Sequence, residues 1–444
     1  MKAHHLFLIL TIFCLESSAI TLRDALLAAF KNNPEWLAKQ TEKNKADEIY
    51  DRSLMAFLPS VQASFHTSRS KVNGEAYSRK YERATVSDGM ELTIAQNLFN
   101  GFSTVNSMNA SDNSAKAAAH RLKFEEQNLI IKIVDAFTSI WAGRQKVVAL
   151  KKKEENLKKT LDSQESTMEA GVGTPSEVSS ASANYHKAIY EKENAQTELF
   201  AAESEFEKFT GLKADQELEL PDFNMELPKD LDNMIVQAMT SNHSILSSKF
   251  SELAALDELK AVKGRLSPSC DLTLRGGRNI SRENDSRQED SQKTLSNNYE
   301  ASLRINVPIF DNSPSSGNTY SAIAIANQEA LKAKFSAEDA RQEIRKECVV
   351  NWNKYVTINA MINSSRSAVK SAELSSVSNM EESALGMKSN TDVLVKENQL
   401  LESRIDLANS LKQKIVTAVK LLVLVGNLDL NSFLKKKQYL PKTR

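Results

Sequence analysis

The segment Leu22-Arg23-Asp24-Ala25-Leu26-Leu27-Ala28-Ala29-Phe30-Lys31-Asn32-Asn33-Pro34 returns in weaker form as Leu231 to His243, 209 residues on. Pro59-Ser60 returns as Pro268-Ser269 at the same offset. Leu98-Phe99-Asn100-Gly101 is matched by Ile309-Phe310-Asp311-Asn312, Gly171 and Val178 by Gly386 and Val393, and Thr210-Gly211-Leu212 by Val425-Gly426-Asn427. The landmarks keep their order while the offset drifts only from 209 to 215 residues, so the chain is built twice from one unit. The first repeat spans 20–211 and the second 231–426; 212–230, with Pro221 and Pro228, is a connector, and 427–444 is a C-terminal tail. Each repeat reads as a helix, two strands, a very long helix, a tight turn and a returning helix.

Strands are expected near 61–70, 88–98, 270–279 and 299–309. Val61, Ala63, Phe65 and Thr67 alternate with Gln62, Ser64, His66 and Ser68, and Met90, Leu92 and Ile94 with Glu91, Thr93 and Ala95. Leu272 and Leu274 alternate with Asp271, Thr273 and Arg275; Tyr299, Ala301, Leu303, Ile305, Val307 and Ile309 alternate with Glu300, Ser302, Arg304 and Asn306. One face suits lipid and the other water. A soluble, half-buried sheet gives the same alternation. The polar segments Lys71 to Ser87 and Asn279 to Asn298, the latter with Arg282-Glu283-Asn284-Asp285, are expected as exposed loops. Strands of about 9 to 11 tilted residues cross a bilayer. Four strands cannot close a membrane barrel, whose smallest single-chain form has about eight, and an open edge in lipid leaves backbone groups unpaired. Oligomerisation follows as a requirement.

From Ser103 to Glu169 there is no proline and only Gly143 interrupts, a stretch about 100 Å long as a helix. Within it Leu129, Ile133, Ala136, Ile140, Gly143, Val147, Leu150, Glu154, Leu157 and Leu161 recur at alternating spacings of four and three, a heptad seam made for a partner helix. Ala181, Tyr185, Ala188, Lys192, Ala195, Leu199, Ala202, Phe206 and Phe209 form the answering seam after Pro175. In the second repeat Ile344, Cys348, Asn351, Tyr355, Ile358, Ile362, Ser365, Val369 and Ala372 are answered by Leu401, Ile405, Ala408, Lys412, Ile415, Val419 and Leu422. The many small residues suit helices laid side by side in a wall. Taken alone, these helices would fit a cytosolic coiled coil.

Lys2, His4 and His5, the apolar run Leu6 to Leu15 and the small residues Ser17 and Ala19 read as a signal peptide, 1–19, with a mature start at Ile20. About 10 apolar residues are too few to span the bilayer as a helix, and bulky Phe13 before Cys14 disfavours a lipoprotein signal. The other cysteines, Cys270 in a strand and Cys348 deep in a helix, are expected to be far apart, free and buried. No further apolar run approaches 18 residues, Val419 to Val425 being the nearest, so a membrane-spanning part must use strands. Lys+Arg and Asp+Glu both total 57, which leaves no basic footprint for nucleic acid. His66, His120, His186 and His243 share no helical face with Cys or another His at ligand spacing, and no phosphate loop or nucleophile elbow occurs. Neither enzymatic activity nor a cofactor or metal is expected.

The ordered, duplicated set resembles the TolC family of outer-membrane efflux and secretion ducts. Its carriers are Leu22 to Pro34, Phe57-Leu58-Pro59-Ser60, Leu98-Phe99-Asn100-Gly101, and the turns Ala170-Gly171-Val172-Gly173-Thr174-Pro175-Ser176-Glu177-Val178 and Leu385-Gly386-Met387-Lys388-Ser389-Asn390-Thr391-Asp392-Val393. The resemblance implies a mainly α fold with transmembrane β: a homotrimer whose chains each give four strands to a twelve-stranded barrel, continued into an α-helical coiled-coil barrel in the periplasm. It implies an outer-membrane duct of a tripartite efflux pump or type I secretion system, conducting passively from an inner-membrane transporter and periplasmic adaptor to the exterior. The tips, near 170–176 and 385–391, are expected to meet the adaptor through Gly171, Val172, Leu385, Gly386 and Met387. Gly also ends a helix well, and Ser176 or Thr391 can cap the next. Relatives often ring the tunnel mouth with aspartates before the second tip; no Asp occurs between Asp339 and Asp392 here, so Glu373, Glu381 and Glu382 are the candidate gate carboxylates. A periplasmic coiled-coil structural or adaptor-like protein and a stand-alone solute porin are the competing readings. A tunnel wall needs no substrate pocket, so nothing in the sequence specifies the cargo.

Overall fold

The computed structural model describes residues 20–77, 79–218, 227–286, 292–309 and 318–428; the signal peptide, Phe310-Asp311-Asn312, Pro221 and nearly all of the C-terminal tail lie outside them. The first repeat runs α1 (Leu22–Asn32), α2 (Pro34–Met55), β1 (Ser60–Ala76), β2 (Arg79–Asn100), α3 (Ser103–Glu169) and α4 (Pro175–Thr210). The second runs α5 (Leu231–Ser241), α6 (His243–Gly264), β3 (Ser269–Asp285), β4 (Gln292–Asn306), α7 (Thr319–Ala384) and α8 (Asn390–Leu424).

Where the sequence reads one opening helix per repeat, the structure has two. Asn33 and Asn242 adopt extended backbone, ψ 117° and 126°, and close α1 and α5. At Asn33 the following proline enforces this, because its ring disfavours helical backbone in the residue before it. The same asparagines hold the far end of their repeats. Asn33 Nδ2 donates to the Phe209 carbonyl at 3.1 Å, and Asn242 Nδ2 donates to the Leu424 carbonyl at 3.0 Å. The landmark pairs at offsets 209 and 215 are therefore one repeated contact: an asparagine after the first helix satisfies a carbonyl at the end of the last.

The described residues within Met1–Gln40, Leu122–His243 and Gln342–Arg444 form one compact unit. Its core gathers Leu22, Leu26, Ile130, Ile133, Phe137, Ile140, Phe206, Phe209, Val419 and Leu422. Phe137 and Phe206 meet with ring centroids 6.3 Å apart. Away from that core the seams become small or polar. Ala181, Ala188 and Ala195 are buried at seven-residue spacing, and the charged seam residues Glu154 and Lys192 pair at 2.9 Å. Lys153 bridges Glu191 of α4 at 3.1 Å and Glu402 of α8 at 2.8 Å. Asn156, fully buried, donates to Glu397 at 3.1 Å and Asn398 at 3.2 Å, tying α3 to α8. Burial lowers the proton affinity of Lys153, but hydrogen bonds to Glu402 and Glu191 outweigh it and hold its pKa above the ordinary lysine value.

Thr41–Arg121 and Ser244–Arg341, with the described residues inside them, form the second unit, which carries the sheet. Four antiparallel strands lie in the order β1-β2-β3-β4. They are longer than their alternation indicates: most of the expected loops 71–87 and 279–298 are paired strand. Those stretches are mostly polar, with apolar residues such as Val72, Val86, Ile280 and Leu295 scattered among them, so the period-two signal fades while backbone pairing continues. β4 stops at Asn306, ahead of Pro308, which has no donor for a ladder. Cys270 and Cys348 are free, as expected, but Cys270 is only half-buried; burial, with Glu347 beside it, pushes the Cys348 thiol up to about 11.

Replacing Asn33 or Asn242 by alanine strands a buried carbonyl, which costs about 1–3 kcal/mol. Each variant is expected to lower the thermal unfolding midpoint; an unchanged midpoint for both contradicts the repeated contact as a structural tie.

Candidate functional site: an amphipathic sheet and two helical tips

Residues directly opposed across antiparallel strands present their side chains to the same face. The register aligns Val61, Ile94, Leu274 and Ala301 in one row, Ala63, Leu92, Gly276 and Tyr299 in the next, then Phe65, Met90, Arg278 and Asn297, then Thr67, Asp88, Ile280 and Leu295. Toward the helices, Leu272 opposes Leu303, and Cys270 opposes Ile305. In these rows the face is apolar except for Gln96, Arg278, Asn297, Thr67 and Asp88, and it is bare: Phe65 is 80% exposed and Tyr299 85%. The opposite face carries Gln62, Thr93, Arg275 and Glu300 in one row and Ser64, Glu91, Gly277 and Asn298 in another. The four groups of alternating positions read from sequence thus fall on one surface where they lie in the strands. Uncovered apolar area on this scale marks an interaction or membrane surface. Both edges of the sheet, β1 and β4, are unpaired among the described residues. No described helix is long and apolar enough to cross a membrane.

The tips are built by turn chemistry. After α3, Gly171 takes φ +77° and the amide of Val172 returns to the Thr167 carbonyl at 3.1 Å; after α7, Gly386 takes φ +76° and the amide of Met387 returns to the Glu382 carbonyl at 2.9 Å. Left-handed backbone, rather than crowding, asks for glycine there, since an added Cβ meets nothing within 4 Å at either position. The caps are Thr174 and Ser389, two residues before Ser176 and Thr391, and each closes a capping box with Glu177 or Asp392. The sequence signal was present in Thr174-Pro175-Ser176-Glu177, where proline at the first helical position puts the cap just before it. Val172, Leu385 and Met387 stand 80%, 75% and 73% exposed.

The gate candidates differ in their surroundings. Glu373 accepts from Arg404 of α8 at 3.0 Å, Glu382 accepts from the Ser378 hydroxyl at 3.2 Å, and Glu381 is exposed. Among the described residues no group of three or more His, Cys, Asp or Glu has metal-binding geometry.

The family model described as outer membrane efflux protein matches residues 26–212 and 234–427, one stretch in each repeat. The chain belongs to the outer membrane efflux protein family. It is 24% identical over 423 residues to outer membrane efflux protein BepC of Brucella suis biovar 1 (strain 1330), covering 95% of this chain and 89% of that protein. To outer membrane protein TolC of Escherichia coli (strain K12) it is 20% identical over 434 residues, 96% of this chain and 86% of TolC. The crystal structure of the Campylobacter jejuni CmeC outer membrane channel superposes with a TM-score of 0.75 at 16% identity, over 93% of this chain and 88% of that one. This is a family of outer-membrane efflux channels, and the fold of this member is theirs.

A backbone hydrogen bond and then the hydroxyl of Thr174 hold the Glu177 carboxyl below its ordinary range; the hydroxyl and then the backbone of Ser389 do the same for Asp392. Groups with depressed folded values contribute fully above the ordinary carboxylate range and lose that contribution as pH falls through the depressed values. Amide exchange at residues 174–178 and 389–393, corrected for intrinsic rates, is expected to speed up as acid protonates the caps. Glu177→Gln should remove that acid dependence at the first tip; persistence of it would point to another titrating group.

Proposed function

We propose that this chain is the outer-membrane duct of a tripartite export assembly, three copies of which close a twelve-stranded barrel continued by a helical tunnel through the periplasm. One observation carries the reading: a sheet with one bare apolar face, one polar face and two edges unpaired among the described residues. Water does not suit its apolar face, and lipid does not suit its edges. Copies that pair β1 of one chain with β4 of the next satisfy both. From Cys270 to Ile280 the apolar face runs ten residue steps, which at about 3.3 Å each and a tilt of about 40° gives a band about 25 Å tall, the height of an outer-membrane barrel's lipid belt. The polar face then lines the conduit.

In this assembly Gly171, Val172, Leu385, Gly386 and Met387 are the contacts for a periplasmic adaptor that links the duct to an inner-membrane transporter. The exposure of Val172, Leu385 and Met387 supports that assignment. Glu373, Glu381 and Glu382 form the gate, where gathered carboxylates favour cations. Arg404 neutralises Glu373, which leaves Glu381 and Glu382 to carry most of the selectivity.

The full chain extracted in detergent is expected to have the mass of a trimer and to open pores in planar bilayers. A monomer recovered without detergent from the periplasm would favour a structural coiled-coil protein and overturn the proposal. Glu381→Gln/Glu382→Gln is expected to lower the cation preference of the pores with little change in their number.

A further inference from the structure

Arg282 and Lys293 are directly opposed across β3 and β4, and Arg69 lies in the same row through Val86 of β2. The register puts all three on the apolar face, one row beyond Thr67, Asp88, Ile280 and Leu295, where the apolar band ends. They are exposed, and none has an ion-pair partner among the described residues. The carboxylates nearest them on this face are engaged: Glu82 holds Lys71 at 2.7 Å, and Asp88 accepts from the Thr67 hydroxyl at 2.8 Å. On the polar face farther along the same strands, Arg83 is matched by Glu283 at 2.9 Å and Asp285 at 3.3 Å. Arg83 is thus neutralised on the polar face while the row Arg69, Arg282 and Lys293 is left uncompensated, as is Arg278 two rows below it on the same face.

Like charges directly opposed across a ladder destabilise it. An anion between them reverses the sign of that interaction. Resting on the reading that this face meets lipid, we propose that the row Arg69, Arg282 and Lys293 binds the phosphate-bearing headgroup of a glycolipid in the outer leaflet. Its acyl chains lie along the apolar rows beneath. Neighbouring strands are about 4.8 Å apart, so Arg282 and Lys293 bracket one phosphate and Arg69, about 10 Å away, reaches a second group on the same headgroup or a neighbouring lipid. Guanidinium groups take phosphate oxygens in pairs, which favours a phosphate over a diffuse surface charge. Continuity of the cationic row with the apolar band is what selects a lipid over a soluble anion.

The test places the full chain in nanodiscs of neutral phosphatidylcholine doped with diphosphoryl lipid A and counts retained lipid by native mass spectrometry. Wild-type protein should retain lipid A in preference to its dephosphorylated form. Arg282→Gln/Lys293→Gln should weaken retention by about tenfold or more with insertion and oligomer mass unchanged, and Arg69→Gln should weaken it less. Equal retention of phosphorylated and dephosphorylated lipid by the wild type, or unchanged retention by the double variant, overturns the proposal. If the double variant does not insert, the wild type's discrimination between the two lipids decides. Wild-type protein that does not enter nanodiscs at all contradicts the membrane reading itself, a failure distinct from entry without lipid preference.

Discussion

A sheet edge is a row of backbone donors and acceptors that must find partners, and among the described residues the sheet has two such edges, along β1 and β4. Hydration satisfies an edge in water, but water leaves the face carrying Phe65, Leu92, Tyr299 and Leu303 uncovered. Lipid covers that face but offers the edges nothing, at a cost of several kcal/mol per unpaired group. No placement of a single chain meets both demands. Pairing between copies meets both, and in the proposed assembly the polar face would line a lumen and the helices would form its wall.

The helical unit follows a different economy of contacts. A dense apolar core sits around Phe137, Phe206 and Val419, where the asparagine ties close both repeats. Farther along, alanine seams and bridges such as Glu154 with Lys192, and Asn156 with Glu397, replace bulky packing. Such contacts hold helices in register while burying little area, so these stretches are held less tightly than the core.

Much of this was written in the sequence. The ordered landmarks reported the duplication, the heptads reported the seams, and the alternating positions of four strands converge on one face once paired. What stayed hidden did so for physical reasons. Strand residues 71–87 and 279–298 are mostly polar, with Val72, Val86, Ile280 and Leu295 scattered among them, so pairing there leaves little hydrophobic trace. The break at Asn242 has no proline to announce it and depends on a carbonyl 182 residues away. Ser176 and Thr391 were expected as caps; Pro175 carries the signal for Thr174 at the first tip, whereas at the second only backbone geometry separates Ser389 from Thr391. The row Arg69, Arg282 and Lys293 is scattered over three strands and becomes a cluster only through register.

Disulfide trapping across the sheet edge tests the proposed pairing of β1 of one copy with β4 of another. In a chain with its native cysteines replaced by serine, Asn298→Cys on β4 is combined in turn with single cysteines along the polar face of β1, from Gln62→Cys to Ser70→Cys. β1 and β4 are separated by two strands within one chain, so a bond between them reports contact between copies. Oxidation in membranes is expected to give covalent dimers and trimers at one register and its immediate neighbours. Absence of inter-chain products at every position, in membranes that contain the protein, would contradict the account.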